Sequence, residues 1–138
     1  MSRARARVRG ETVGQIGPGL LVLLGVARGD DVAAGDRLAA KIAKLRVFED
    51  ERGRFDHSLL DTGGDVLAVS QFTLLGDASK GNRPSFTDAA PPEEAEAVYD
   101  AFCAALRALG VRVATGVFGA RMEVELVNDG PVTLTLEA

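Results

Sequence analysis

Two continuous apolar runs constrain the fold of this 138-residue chain more than any other feature. Leu20–Val26 and Val66–Leu75 each have the length of a strand and are dominated by apolar side chains. Runs of this kind are typical of strands that are covered on both faces. Turn residues precede both runs, Gly17-Pro18-Gly19 before the first and Gly63-Gly64 before the second. We therefore predict a sheet with other elements packed on both of its faces.

Two amphipathic segments predict the helices that cover such a sheet. In the first, Leu38, Ile42 and Leu45 fall at helical spacing and share one face. Asp30 or Asp31 is the predicted cap of that helix. The second helix is predicted to begin at Pro91-Pro92 and to stop at Gly110, with a buried stripe of Ala95, Val98, Tyr99, Phe102, Leu106 and Leu109.

Period-two alternation predicts further strands that are exposed on one face. Arginines alternate with alanine or valine near the N-terminus, and the next apolar alternation follows after Gly10. The predicted strands are Arg3–Val8, Thr12–Ile16, Val111–Ala114, Arg121–Leu126 and Val132–Leu136, with a turn or hairpin over Glu49–Phe55. No repeat or long linker interrupts the chain, so we predict one domain over residues 1–138.

Charge and cysteine content narrow the class of protein. The net charge is −4 and the pI is near 5.0, which argues against a protein that binds nucleic acid without regard to sequence. These values are still compatible with a small basic surface that contacts one end of an RNA. Four arginines, Arg3, Arg5, Arg7 and Arg9, are either such a footprint or a solvated strand edge. One cysteine and no membrane-length apolar run favour a cytoplasmic protein.

The usual catalytic side chains are scarce. His57 is the only histidine, and its charged neighbours indicate a surface position rather than a catalytic triad. Cys103 lies on an apolar helix face, where a buried and inert thiol is expected. No spacing of metal ligands is present, so we expect neither a metal nor another cofactor.

Three polar clusters remain as candidate sites. Ser70-Gln71-Phe72-Thr73-Leu74 ends the most apolar strand, where polar side chains need partners or face a pocket. In Gly81-Asn82-Arg83-Pro84-Ser85-Phe86, the arginine suits a phosphate and the phenylalanine suits a base. Asn128-Asp129-Gly130-Pro131-Val132-Thr133 is either a plain hairpin turn or a specific cis-proline device. Spacing alone leaves these alternatives open.

Together these clusters resemble the D-aminoacyl-tRNA deacylase family. The first and third clusters match the family's two signatures residue for residue and in the same order. Ile16–Val26 and Lys80–Phe86 also resemble the family, so the likeness runs from about Val13 to the C-terminus.

The resemblance implies a fold, an assembly and an activity. The fold is α/β, in three layers α/β/β, with mostly antiparallel sheets and two main helices. The assembly is a homodimer with its active sites between subunits. The activity is hydrolysis of the ester between a D-amino acid, or glycine, and tRNA. This reaction is a proofreading step in translation. The enzyme binds the 3′ end of the aminoacyl-tRNA and acts in the cytoplasm.

The resemblance also implies roles for individual residues. The N–H groups of Phe72 and Thr73 serve catalysis by stabilising an oxyanion. Thr73 has no evident base, which favours a positioning role over a nucleophilic one. Gly130 and Pro131 enter the partner's site through a cis bond and exclude L-amino acids. The substrate-binding residues are Ser70, Gln71, Arg83 and Phe86, and the supporting residues are Asn128 and Thr133.

One departure from the family keeps two alternatives open. Family members usually begin with a further strand that bears a Gln–Arg pair, and this sequence starts after it, so we expect an exposed sheet edge. Arg3 or Arg5 is a candidate substitute for that arginine. The first alternative is an inactive binding module of the same fold. The second is a small-molecule ester or amide hydrolase, which requires His57 beside a serine or threonine in space.

Overall fold

The computed structural model describes residues 1–138 as strands and helices in three layers. Both main helices and most of the strands lie where the sequence predicts them. The strands are β1 (Arg3–Val8), β2 (Glu11–Ile16), β3 (Gly19–Leu24), β4 (Phe48–Glu49), β5 (Phe55–His57), β6 (Asp65–Ser70), β7 (Val113–Thr115) and β8 (Glu123–Val127). The helices are α1 (Val32–Lys44), α2 (Leu59–Thr62) and α3 (Pro92–Ala108).

The middle layer is a parallel sheet with strand order β3-β6-β7. Its central strand, β6, is buried on both faces, with Val66, Leu67, Ala68 and Val69 at most 1% exposed. Val66 and Ala68 pack towards the helices, whereas Leu67 and Val69 pack towards the other sheet. This two-sided burial explains why β6 reads as an apolar run.

The second sheet is antiparallel, with strand order β2-β1-β8. Alternation along β1 determines which face is covered: Ala4 and Ala6 are buried against the middle layer, and Arg3, Arg5 and Arg7 lie on the opposite face. Gly14 of β2 lies so close to β7 that a β-carbon would sit 2.3 Å from the Thr115 carbonyl oxygen. The two sheets therefore pack closely at Gly14, where a residue with a side chain would clash with β7.

The helices α1 and α3 form the third layer. The Asp31 side chain accepts a hydrogen bond from the Ala34 N–H at 2.9 Å and caps α1. The Tyr99 hydroxyl of α3 donates to the Ala68 carbonyl of β6 at 2.7 Å. Phe102 and Leu106 are fully buried beneath α3. The predicted α/β fold class in three layers is confirmed, and within it the sheet beside the helices is parallel.

Four sequence predictions need correction. The strand predicted over Val66–Leu75 stops at Ser70 and gives way to a 3₁₀ turn, Phe72–Leu75. The strand predicted over Leu20–Val26 spans Gly19–Leu24 at the sheet edge and is not buried on both faces, since Leu23 is 43% exposed. Val132–Leu136 forms no strand, because this chain offers its backbone no partner. In the predicted stripe of α3, Leu109 is 39% exposed, since it follows the last turn of the helix.

Candidate functional site

The 3₁₀ turn after β6 presents two backbone donors without acceptors. The Gln71 N–H bonds to the Leu24 carbonyl at 2.8 Å, and the Leu74 N–H bonds to the Gln71 carbonyl at 3.2 Å. Between them, the N–H groups of Phe72 and Thr73 have no hydrogen-bond partner in the protein. First-turn donors of a helix have no intrahelical partner, so these two are available to a ligand.

Close packing fixes the position of this turn. A β-carbon on Gly25, just beyond β3, would lie 2.7 Å from a Leu75 side-chain carbon, 3.1 Å from the Leu74 β-carbon and 3.2 Å from the Gln71 carbonyl oxygen. Gly25 therefore lets the turn lie against the end of β3. The two donors are held by backbone contacts on both sides.

The side chain of Gln71 is bonded within the turn. Its amide donates a hydrogen bond to the Thr73 hydroxyl. No histidine or carboxylate is hydrogen-bonded to the Thr73 oxygen. A threonine without a base is a weak nucleophile. The arrangement accordingly fits a positioning role for Thr73 better than a nucleophilic one.

Two phenylalanines form an exposed aromatic surface beside the donors. The rings of Phe72 and Phe86 meet edge to face, with centroids 5.2 Å apart, and are 57% and 37% exposed as residues. Gly76 allows this contact, because a β-carbon there would lie 2.9 Å from the Phe86 ring. Phe72 and Phe86 are fourteen positions apart in the sequence, and no helical or strand periodicity predicts a contact between them.

The loop that carries Phe86 folds back on itself. Asp77 and Ser85 exchange two backbone hydrogen bonds of 2.7 and 2.8 Å. Hydrogen bonds from the side chain and backbone of Ser79 lower the pKa of the Asp77 carboxyl. Arg83 lies exposed within the loop, and its guanidinium has no hydrogen bond or ion pair. The structure thus brings Phe86, and not Arg83, into contact with Phe72.

The Asn128–Thr133 segment is a closed turn at the surface. The Asn128 amide donates to the Thr133 hydroxyl at 3.0 Å, and the Gly130–Pro131 peptide bond is cis. Gly130 has a φ of 150°, and a β-carbon there would lie 3.1 Å from the Val132 nitrogen. Gly130, Pro131 and Thr133 are all exposed. Neither Arg3 nor Arg5 donates a hydrogen bond to this turn, so no substitute anchor is found there.

The two signature segments lie towards opposite ends of β6. The Ser2 N–H bonds to the Val127 carbonyl, and the Gly19 N–H bonds to the Met1 carbonyl. Gly19 pairs with Asp65, the first residue of β6, whereas the 3₁₀ turn follows the last residue of that strand. A six-residue strand spans roughly 17 Å. One chain therefore does not unite the Gly130–Pro131 turn with the donors of Phe72 and Thr73.

The other candidate groups lie outside this site. His57 is in β5, and the hydroxyl of the neighbouring Ser58 accepts from the Asp61 N–H and caps α2. Cys103 is buried on α3, and burial raises the pKa of its thiol. No group of three or more His, Cys, Asp or Glu side chains is arranged to hold a metal ion. No helix is both long and apolar enough to cross a membrane.

Comparison with known proteins decides the family. The sequence model described as D-Tyr-tRNA(Tyr) deacylase matches residues 1–137. The chain belongs to the D-Tyr-tRNA(Tyr) deacylase family. Membership makes it an enzyme, a hydrolase that acts on an ester bond.

Curated relatives in this family are similar over more than nine tenths of their length. A D-aminoacyl-tRNA deacylase of Symbiobacterium thermophilum is 61% identical over 100% of this chain and 91% of its own. A D-aminoacyl-tRNA deacylase of Deinococcus radiodurans is 57% identical over 99% of this chain and 94% of its own.

Solved structures agree with the deacylase family fold. A protein described as a c-Myc DNA unwinding element binding protein is 43% identical, with a TM-score of 0.91 over 99% of this chain and 93% of its own. A probable eukaryotic D-amino acid tRNA deacylase has a TM-score of 0.76 over 91% of this chain and 88% of its own. That second structure is 21% identical, so it supports the fold alone.

Proposed function

We propose that this chain hydrolyses the ester of D-aminoacyl-tRNA, and that of mischarged glycyl-tRNA, at the 3₁₀ turn that follows β6. The observation that carries the proposal is the pair of unpartnered N–H groups on Phe72 and Thr73. Donors of this kind stabilise the oxyanion that forms when water adds to an ester carbonyl.

The proposed reaction needs little from ionisable side chains. Water adds to the ester carbonyl carbon, and the oxyanion accepts hydrogen bonds from the N–H groups of Phe72 and Thr73. Collapse breaks the ester bond, and the ribose oxygen leaves as a hydroxyl with a proton from the attacking water. The 2′-hydroxyl of the terminal adenosine orients that water. This scheme suits a site whose threonine oxygen has only an amide as its partner.

The exposed phenylalanines supply the binding surface for the terminal adenosine. An exposed aromatic ring suits a nucleobase because each base has a face that can stack. Phe72 and Phe86 lie beside the two donors and leave ring surface open to solvent. Ser70 and Gln71 line the substrate side of the same turn, and Arg83 approaches the RNA from its loop.

Each complete site is proposed to need two copies of the chain. The Gly130–Pro131 turn of one copy enters the site of the other, with Asn128 and Thr133 holding the turn closed. The separation of the two segments along β6 supports this arrangement. So do the exposed apolar side chains Leu23 and Leu74, which a partner can cover.

The turn selects the substrate by exclusion. The backbone of Gly130 and Pro131 stands where the side chain of an L-amino acid would project, whereas a D-amino acid or glycine leaves that space free. Selectivity of this kind removes wrongly charged tRNA and spares the correct ester. The proposed setting is the cytoplasm, where charged tRNA is used.

Hydrolysis of matched D- and L-tyrosyl-tRNA by the full 138-residue chain tests the proposal. We expect rapid loss of the D ester and loss of the L ester at the rate in buffer. Equal loss of both would exclude chiral selection by the turn. Loss of neither, with tRNA still bound, would assign the chain to the binding-module alternative.

A further inference from the structure

A row of arginines occupies the open face of the antiparallel sheet. Arg3, Arg5 and Arg7 alternate along β1 with Ala4 and Ala6, which face the core. The arginines therefore share the opposite face. Residues two apart on a strand are about 6.8 Å apart, so the row presents three guanidinium groups at regular intervals.

The row carries more positive charge than its neighbours balance. The Glu125 carboxylate lies 3.1 Å from the Arg5 guanidinium and 3.3 Å from that of Arg7. Arg3 forms no ion pair, and Glu123, although it lies opposite Arg7 in the sheet, forms none either. The hydrogen bond and charge of Arg5, with the charges of Arg7 and Arg3, lower the pKa of Glu125. Arg5 and Arg7 thus share one carboxylate and Arg3 is paired with none, in a chain whose net charge is −4.

Two donors in the row lack an acceptor. The Nε atoms of Arg5 and Arg7 are covered by neighbouring atoms and have no hydrogen-bond partner. Buried polar groups normally have partners, and these two Nε–H groups have none within the protein. A groove of about 250 Å³ lies beside Arg5 and is lined by Arg3, Ala4, Arg5, Gln15, Glu125 and Leu126.

The row begins beside the strand end that leads to the Gly130–Pro131 turn. Arg3 pairs with Val127, the last residue of β8, whereas Arg5 pairs with Glu125 and lies farther from the turn. The polypeptide runs from Val127 into the turn within three residues. The arginines accordingly lead away from the point where the proposed chiral selection takes place.

We propose that Arg3, Arg5 and Arg7 bind successive backbone phosphates of the tRNA acceptor strand. The inference rests on the proposed function: with the ester at the Gly130–Pro131 turn, the preceding nucleotides must leave along a neighbouring surface. A guanidinium pairs with phosphate oxygens through two parallel N–H groups, and the side chains of Arg5 and Arg7 are 37% and 29% exposed. Glu125 holds Arg5 and Arg7 in place until phosphates displace it.

The test compares two triple variants of the full chain. The first carries Arg3→Gln, Arg5→Gln and Arg7→Gln. The control carries Arg37→Gln, Arg52→Gln and Arg54→Gln, whose exposed side chains form no ion pair or side-chain hydrogen bond. Binding of uncharged tRNA is measured against salt concentration, and turnover is measured on D-tyrosyl-tRNA and on the D-tyrosyl ester of adenosine, which has no phosphates.

The expected result is specific to the row and to phosphates. Each lost phosphate contact on a single strand lowers the salt slope by about 0.7, so the row variant should bind tRNA with a slope smaller by about 2. Its affinity at low salt should fall at least about tenfold. Turnover of the adenosine ester should stay within about twofold of the parent, and the control should behave as the parent in all assays.

Four outcomes overturn the inference. The first is a row variant with the salt slope of the parent, and the second is an equal loss of tRNA affinity in the control variant. The third is an equal loss of turnover by the row variant on the adenosine ester. The fourth is a row variant with unchanged tRNA affinity and a changed oligomeric state, which would assign the face to a second copy of the chain. If the parent cleaves neither D ester, the proposed function fails, and the salt slopes still decide whether the row binds phosphates.

Discussion

The side-chain amide of Gln71 donates its hydrogen bond to the hydroxyl of Thr73, across the first turn after the buried strand β6. This bond orients the Thr73 side chain. The Gln71 NH₂ group is a hydrogen-bond donor only, so it cannot act as a base that removes the proton of the hydroxyl. The neighbouring N–H groups remain free. Under the proposed mechanism, the backbone N–H groups of this turn, and not the Thr73 hydroxyl, act on the substrate.

Two substitutions at Thr73 separate the hydroxyl from the N–H. Thr73→Ala removes the hydroxyl and should lower kcat on D-tyrosyl-tRNA by less than about tenfold. Thr73→Pro removes the N–H together with the hydroxyl, and should lower kcat by about 100-fold or more. Circular dichroism and thermal midpoints check that both variants fold. A loss in Thr73→Ala as large as that in Thr73→Pro would restore a nucleophilic role.

Gly25 offers a test of how firmly the turn must be placed. Its β-carbon in Gly25→Ala would lie 2.7 Å from Leu75, so the 3₁₀ turn has to shift. Because a small misplacement of catalytic donors is costly, kcat should fall by at least about tenfold. Gly17→Ala is the matched control, since no atom lies within 4 Å of the added carbon. Steady-state kinetics of the two variants make the comparison, and equal kcat values would contradict the packing argument.

The aromatic pair predicts a binding defect. Phe86→Ala removes one ring of the Phe72–Phe86 contact and should raise KM for D-tyrosyl-tRNA by about 10- to 100-fold, the range for one stacked base. Phe55→Ala is the control, because Phe55 is 53% exposed on the β4–β5 hairpin. The measurement is KM with kcat recorded separately. A similar rise in both variants would show that exposed phenylalanines act through stability rather than through the base.

Alkaline pH should destabilise the protein through α3. Burial raises the pKa of Tyr99 and of Cys103, which lie one helical turn apart. As the pH rises, the unfolded chain therefore loses these protons before the folded protein does. The free energy of unfolding keeps its full value below about pH 9 and falls as the pH rises further.

Urea denaturation at pH 8 and pH 10 measures this effect. The parent should lose more stability between the two pH values than Cys103→Ala, which lacks one of the two groups. Equal losses would show that the Cys103 thiol does not contribute. In the native state at pH 8, a thiol reagent should label Cys103 only as fast as the protein opens.

Local chemistry explains why much of the fold could be predicted from the sequence. The proline at the start of α3, the aspartate cap of α1 and the alternation along β1 each determine a structure within a few residues. The central strand β6 was predictable for a related reason, since two-sided burial requires an unbroken apolar run.

Features that depend on distant partners could not be predicted in this way. Gln71 and Thr73 alternate with Phe72 and Leu74 as polar and apolar residues do in a strand, so the pattern did not distinguish the 3₁₀ turn from a continued strand. Val132–Leu136 alternates as a strand does, but pairing needs a neighbour that this chain does not supply. In the candidate site, Phe86 reaches Phe72 only through the Asp77–Ser85 backbone contact, which no local rule predicts.

The separation of the Gly130–Pro131 turn from the donors of Phe72 and Thr73 has a genetic consequence in a two-copy site. A copy damaged only at the turn still carries intact donors, and a copy damaged only at the donors still carries an intact turn. When two such copies pair, one of the two sites is assembled wholly from undamaged segments. Under the proposed two-copy arrangement, two chains that are each inactive alone should therefore regain activity when mixed, in at most half of the sites of each mixed pair.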